Sequence, residues 1–219
     1  MSGKADLLLA LHSSSDTLAV GVQEWSPADL SATLPAPVVA EFPLGRTLST
    51  ELFACVEKVL PASRWCEIGR LAVAIGPGGF TGTRLTVVMA RTLAQQLAIP
   101  LDGVGSFLLI ARRLRAQGVP GAAAERFVLV QTLPRHGLVA GCYGAAPATS
   151  GGVDELQAPR FFSSEQDLPA GPRLEARVEA AADAEQLLQI ATESARAQRP
   201  APWQAVLPLY PTSPVELRP

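Results

Sequence analysis

The residues best equipped for chemistry are Gly76-Pro77-Gly78-Gly79-Phe80-Thr81-Gly82-Thr83-Arg84. They join an apolar run, Leu71 to Ile75, to an amphipathic helical pattern, so the spacing predicts a tight strand-to-helix turn. Glycines at 76, 78, 79 and 82 permit positive φ and close backbone approach, Pro77 presets its neighbour, and Thr81 or Thr83 can cap the helix that follows. Exposed amides at such a helix start attract anions. The same glycines also suit a turn that is only the connection its fold needs. No Lys-Ser or Lys-Thr pair follows Gly82, which excludes a Walker A loop, and Thr81 stands where a dinucleotide fingerprint needs its third glycine. A phosphate bound at Gly76, Gly78, Gly79, Thr81 and Gly82 would be held by backbone amides without a lysine.

Other chemistries have less to work with. His12 and His136 are the two histidines, which leaves few general bases near neutral pH. Cys55, Cys66 and Cys142 are odd in number and far apart, so they read as free thiols rather than a disulfide framework or zinc knuckle. Cys142 and His136 share a hairpin, but a buried structural cysteine is the commoner reading there than a Cys-His dyad. A net charge of -2 and a pI near 5.7 argue against a surface that grips nucleic acid as a whole. With 219 residues, 48% of them hydrophobic, the chain can bury a full core. No basic-plus-apolar leader opens it, and Leu7 to Leu11 is far short of the ~20 residues of a membrane span, so a soluble, cytoplasmic protein without a membrane contact is expected.

The elements that position the glycine loop follow from periodicity. Leu7 to Leu11 and Thr17 to Val22 read as strands around the polar turn Ser13 to Asp16, and Val38 to Phe42 as a third. Leu48, Leu52, Cys55, Val56, Val59 and Leu60 make a helical stripe ended by Pro61. After the strand and the glycine loop comes a helix from Thr83 to about Ala98, with Leu85, Val88, Met89, Leu93 and Leu97 on one side. A short strand, Leu101 to Val104, leads to a helix over Ser106 to Gln117 whose Arg112, Arg113 and Arg115 read as a solvated, dipole-complementing helix end. The second half is fainter: a hairpin of Phe127 to Val130 with Leu138 to Tyr143, a loop over Gly144 to Gly152, a helix over Asp183 to Gln198, and a proline-rich tail anchored by Leu207, Leu209 and Tyr210. The order implies an α/β fold with a mixed sheet, as an N-terminal lobe of residues 1–117 and a smaller lobe of residues 118–219.

Strand-turn-strand, a third strand, and then strand-GPGGFTGTR-helix resemble the N-terminal lobe of the actin/sugar-kinase/chaperone-ATPase (ASKHA) superfamily. More closely, Gly76 to Arg84, Pro100-Leu101-Asp102-Gly103-Val104-Gly105-Ser106 and Leu9-Ala10-Leu11-His12-Ser13-Ser14 resemble the TsaB (YeaZ) family over roughly the first 115 residues. That family is the non-catalytic dimerisation subunit of the bacterial tRNA threonylcarbamoyladenosine synthase. The resemblance implies a TsaD-type catalytic paralogue and a TsaE-type ATPase as partners, tRNA engaged only through the complex, and a homodimer when the partner is absent. It implies no catalytic residue, no metal and no resident cofactor, with ATP or ADP at the partner interface as the one open question. The paralogue's H-x-x-x-H metal pair falls here on Ser106 and Ile110. The superfamily's metal-positioning Asp falls on His12, a poor exchange toward a hard cation, and Leu48 stands where many members have histidine.

The resemblance also places a partner interface on the first two helices, with Leu48, Leu52, Cys55, Thr83, Val87 and Arg91 as its candidates and Phe53 and Val87 as apolar residues outside the core stripes. The alternatives are a stand-alone ATPase of the superfamily, a metalloprotease, which the absence of H-E-x-x-H disfavours, and a small-ligand module using the glycine loop.

Overall fold

The computed structural model describes residues 6–25, 34–133, 137–146 and 152–211. Calls on His136, and on most of the 144–152 loop, lie outside them. A first sheet contains β1 (Asp6–His12), β2 (Thr17–Trp25), β3 (Val38–Pro43), β4 (Ile68–Ala74) and β5 (Leu101–Val104) in the order β3-β2-β1-β4-β5. β1 pairs antiparallel with β2 and parallel with β4, and β4 runs parallel to β5. The sheet is therefore mixed, as the sequence order implies.

Strand alternation builds three layers. Leu7, Leu9 and Leu11 of β1 face one way, into a cluster with Leu48, Leu52 and Val56 of α1 (Leu48–Val59) and Val87, Met89 and Leu93 of α2 (Phe80–Leu97). Leu8 and Ala10 face the other way, with Ala72 and Ala74, against Leu109 of α3 (Ser106–Ala116) and Leu187, Leu188 and Ala191 of α4 (Ala180–Arg196). Small residues on that face let α4 lie close: a Cβ at Gly21 would stand 2.9 Å from Leu188 Cδ1. Each fully buried leucine contributes about 1.5–3 kcal/mol.

The second sheet, in the order β8-β7-β6-β9, comprises β6 (Arg126–Leu133), β7 (Gly137–Ala145), β8 (Val153–Phe162) and β9 (Arg173–Glu175). The expected hairpin is there, with Val128 opposite Cys142. Its core is completed by Phe107, Ile110 and Ala111 of α3 against Phe127, Leu129 and Tyr143. A division at residue 117 thus separates the two sheets but not their helices, because α3 serves both and α4 returns to cover the first.

Four local expectations need correction. α2 begins at Phe80 with Gly79 as its N-cap and no side-chain cap, so Thr81 and Thr83 lie inside it. Of its expected stripe, Met89 and Leu93 are buried and Leu85 and Leu97 lie at the margin, but Val88 points outward and Val87 is buried in its place. Arg112 and Arg113 are not solvated. Arg113 Nε donates to Asp183 Oδ1 at 2.7 Å and Arg112 Nη2 to Glu193 Oε1 at 2.7 Å, tying α3 to α4. In the tail, Val206 and Trp203 are the residues packed on the core, while Leu207 points to solvent.

Candidate functional site

The glycine loop leaves β4 through Ile75 and a Gly76 in the left-handed region (φ +98°), with a cis Gly76-Pro77 bond, and enters α2. Across from it lies the β1–β2 turn. The Gly79 amide donates to the Ser14 carbonyl at 3.1 Å, and a Cβ at Gly78 would overlap the Ser14 backbone. A Cβ at Gly82 would stand 3.0 Å from the Ser13 carbonyl oxygen. Close approach of two chain segments therefore explains why glycine stands at 78 and 82.

Hydroxyls stitch the same junction. Ser13 Oγ and Thr86 Oγ1 are 2.6 Å apart, and Ser14 Oγ and Ser106 Oγ 2.5 Å. Ser106 also donates its amide to the Gly76 carbonyl at 2.7 Å, which fixes the start of α3 to the start of the loop. The run Ser13-Ser14-Ser15 signals only a polar turn in the sequence; its role as the loop's counterpart needed the fold.

Four of the five loop candidates, Gly76, Gly78, Gly79 and Gly82, thus line one seam, and Thr81 sits exposed on the first turn of α2. Gly79's amide is occupied by Ser14. The amides of Phe80, Thr81 and Gly82 precede the first intrahelical bond, Thr83 to Gly79, and these are the groups an anion could meet. They border a hollow of about 350 Å³ shared with Asp16, Arg46 and Ser49. On the other side of the β1–β2 turn, a cleft of about 760 Å³ separates Ser14, Asp16 and Gly79 from Val130 and Leu138 of the second sheet and Arg177 just beyond it. Arg173 and Arg177 are balanced there by Asp16, Glu165 and Glu175, so the cleft carries no excess of positive charge for a polyphosphate.

His12 ends β1 fully buried, with neither ring nitrogen hydrogen-bonded. Burial first, and the nearby Arg113 guanidinium second, lower its pKa to about 4. It is a neutral ring inside the protein and is not among the residues that line the cleft. Ser106 is spent on Ser14, and Ile110 packs in the core between α3 and the second sheet. Among the described residues, no three His, Cys, Asp or Glu side chains gather as a metal site.

Leu48, Leu52, Cys55, Thr83 and Val87 are buried within this chain, the least enclosed of them only 6% exposed. Arg91 is half-buried, donates to the Val206 carbonyl at 3.0 Å and lies 5.6 Å over the Trp203 ring. The outward residues of the same two helices are Phe53, 59% exposed, and Val88, 61% exposed, with Phe80 at the start of α2. Of these, Phe53 stands outside the helical stripe of the sequence, whereas Val88 falls within it by spacing and is nevertheless exposed.

Layering, sheet order and the strand–loop–helix seam define an α/β fold of the ASKHA type. Two crystal structures of Pseudomonas aeruginosa proteins share the fold: one described as similar to the peptidase YeaZ, at TM-score 0.71, and YeaZ itself, at 0.70. Each is 20% identical and aligns over 94% of this chain and 100% of its own. In sequence, residues 45–130, from α1 into β6, match the TsaD family, tRNA N6-adenosine threonylcarbamoyltransferase. The Bacillus subtilis (strain 168) tRNA threonylcarbamoyladenosine biosynthesis protein TsaB is 42% identical over 45 residues, which is 20% of each chain. In fold, and over these stretches of sequence, the chain is similar to proteins of the TsaB (YeaZ) and TsaD type.

Proposed function

We propose that this chain is a non-catalytic subunit that pairs, lobe to lobe, with a TsaD-type paralogue, assisted by a TsaE-type ATPase, in forming threonylcarbamoyladenosine beside the anticodon of tRNA. The observation that carries the reading is the outward face of α1 and α2. These helices bury their stripes inward and still present Phe53 and Val88 to solvent, at 59% and 61% exposure. Large apolar side chains on adjacent helices suit burial against a similar helix pair. The same face serves a homodimer when the partner is missing.

His12 supports a scaffold role, since an unpaired, neutral, buried imidazole supplies neither a metal ligand nor a base to the cleft. Contact with tRNA passes through the complex, because Arg112 and Arg113 are committed to α4. A second reading, a nucleotide held by this chain, alone or at the partner interface, is favoured by the first-turn amides of α2 beside the 350 Å³ hollow.

Reconstitution of tRNA modification from purified TsaD-type and TsaE-type proteins, with and without this chain, tests the proposal. Modification should depend on this chain, while the chain alone should neither modify tRNA nor turn over ATP. Full activity without it would refute the scaffold role, and ATP turnover by the lone chain, abolished in a bulky Gly78 variant, would favour the second reading.

A further inference from the structure

The segment after α4 is rich in proline, which holds the chain extended and lowers the entropy lost on ordering it. It crosses the open edge of the first sheet, where the Leu101 amide of β5 donates to the Ala201 carbonyl at 2.9 Å. An edge strand left bare is a hazard that such a cover removes. Val206 then seats over Gly103 of the same strand: a Cβ there would stand 2.8 Å from Val206 Cγ1, so the absent side chain makes the seat.

From Val206 onward the segment runs beside α2. Arg91 holds the Val206 carbonyl and stacks on Trp203, while the Tyr210 ring lies 4.9 Å from the ring of Phe80. Between Arg91 and Phe80, α2 rises about 16 Å, and the four steps from Val206 to Tyr210 span about 13 Å in extended chain. The segment therefore lies antiparallel along α2, touching it near both ends. Just before Tyr210, the Leu209 amide donates to the Ile75 carbonyl at 2.7 Å, and the Leu209 carbonyl oxygen sits where it would be 3.0 Å from a Cβ on Gly76.

These contacts engage all the elements from which the glycine loop hangs: the end of β4, the edge strand β5 and the first turn of α2. We propose that residues 201–211 form a latch that clamps the glycine loop, so that seating or lifting of this segment sets how firmly Gly76 to Gly82 are held against the β1–β2 turn. Leu207, 59% exposed, and Tyr210 are its outward handles. Leu209 carries the seating of this segment to the loop, and thence to the cleft wall that Gly79 forms. The latch is a property of the lone chain and stands apart from the partner assignment.

Amide hydrogen exchange on the full chain tests the latch. Leu209→Pro deletes the donor to Ile75, Arg91→Leu frees the Val206 end, and Val206→Ala is a milder substitute should either fail to fold. Exchange of the amides in 75–83 is expected to quicken about tenfold or more in each variant, while β6 and β7 keep their protection. Unchanged exchange over 75–83 would overturn the latch, and so would an equal rise across both sheets, which would make the segment a general stabiliser.

Discussion

Gly78 and Gly79 are neighbours with different duties. A methyl at 78 runs into the Ser14 backbone, whereas a methyl at 79 meets nothing nearer than the Ser15 carbonyl oxygen at 3.9 Å. Gly78→Ala should therefore lose about 2 kcal/mol or more of stability, and Gly79→Ala under about 1 kcal/mol, in denaturant unfolding. Equal losses would contradict the packing account of the seam. His12 makes a pH prediction. Its folded pKa of about 4 lies below the unfolded value near 6.5, so the unfolded chain binds the extra proton and stability drains as pH falls through that window. Asp183, raised to about 6 mainly by burial and faced by Arg113 and Glu179, works the other way between about pH 6 and 4. The balance is exposed by His12→Leu: relative to the parent chain it should gain about 2 kcal/mol on going from pH 7.5 to pH 5. Parallel pH profiles for the two chains would show that His12 does not titrate as a buried group.

At the scale of elements, the α3–α4 tie is where the sequence reading went furthest astray. Arg112 and Arg113, near a helix C-terminus, look solvated until the fold brings Glu193, Asp183 and Glu179 from about 65 to 80 residues away. Local periodicity cannot report such a pairing. Arg113→Leu should cost about 3–5 kcal/mol, because it strands a buried Asp183, and adding Asp183→Asn should recover much of that loss. The deficit of the single variant should shrink from pH 8 to pH 5.5, since without its guanidinium the carboxyl binds a proton more readily in the folded chain than in the unfolded one. A deficit independent of pH, unrelieved by the second change, would contradict this account. Elsewhere the elements were legible: β1, β2, α1 and β5 fall within a few residues of their apolar patterns, for these segments have buried faces, and β3, which has none, still shows the alternation of a strand paired along β2. β8 and β9 were missed, because β8 is an edge strand, mostly exposed and interrupted by Pro159, and β9 spans three residues.

At the scale of the molecule, the fold was legible because the glycine loop and its flanking strand and helix are local in sequence. The candidate interface was only half legible. Leu48, Leu52 and Cys55 carry the stripe of α1, and a stripe does not say whether it faces its own sheet or another chain. The structure gives it to the sheet, and on α2 it buries Val87 and exposes Val88. The proposed pairing accordingly uses the outward side of these helices. The most direct measurement is the dissociation constant between this chain and the TsaD-type protein of its own organism, for the parent chain, Phe53→Asp, Val88→Asp and, on the opposite side of the molecule, Gln189→Asp. The account predicts a loss of about 100-fold or more for the first two variants, with folding intact, and no change for the third. Undiminished affinity in both Phe53→Asp and Val88→Asp would contradict it.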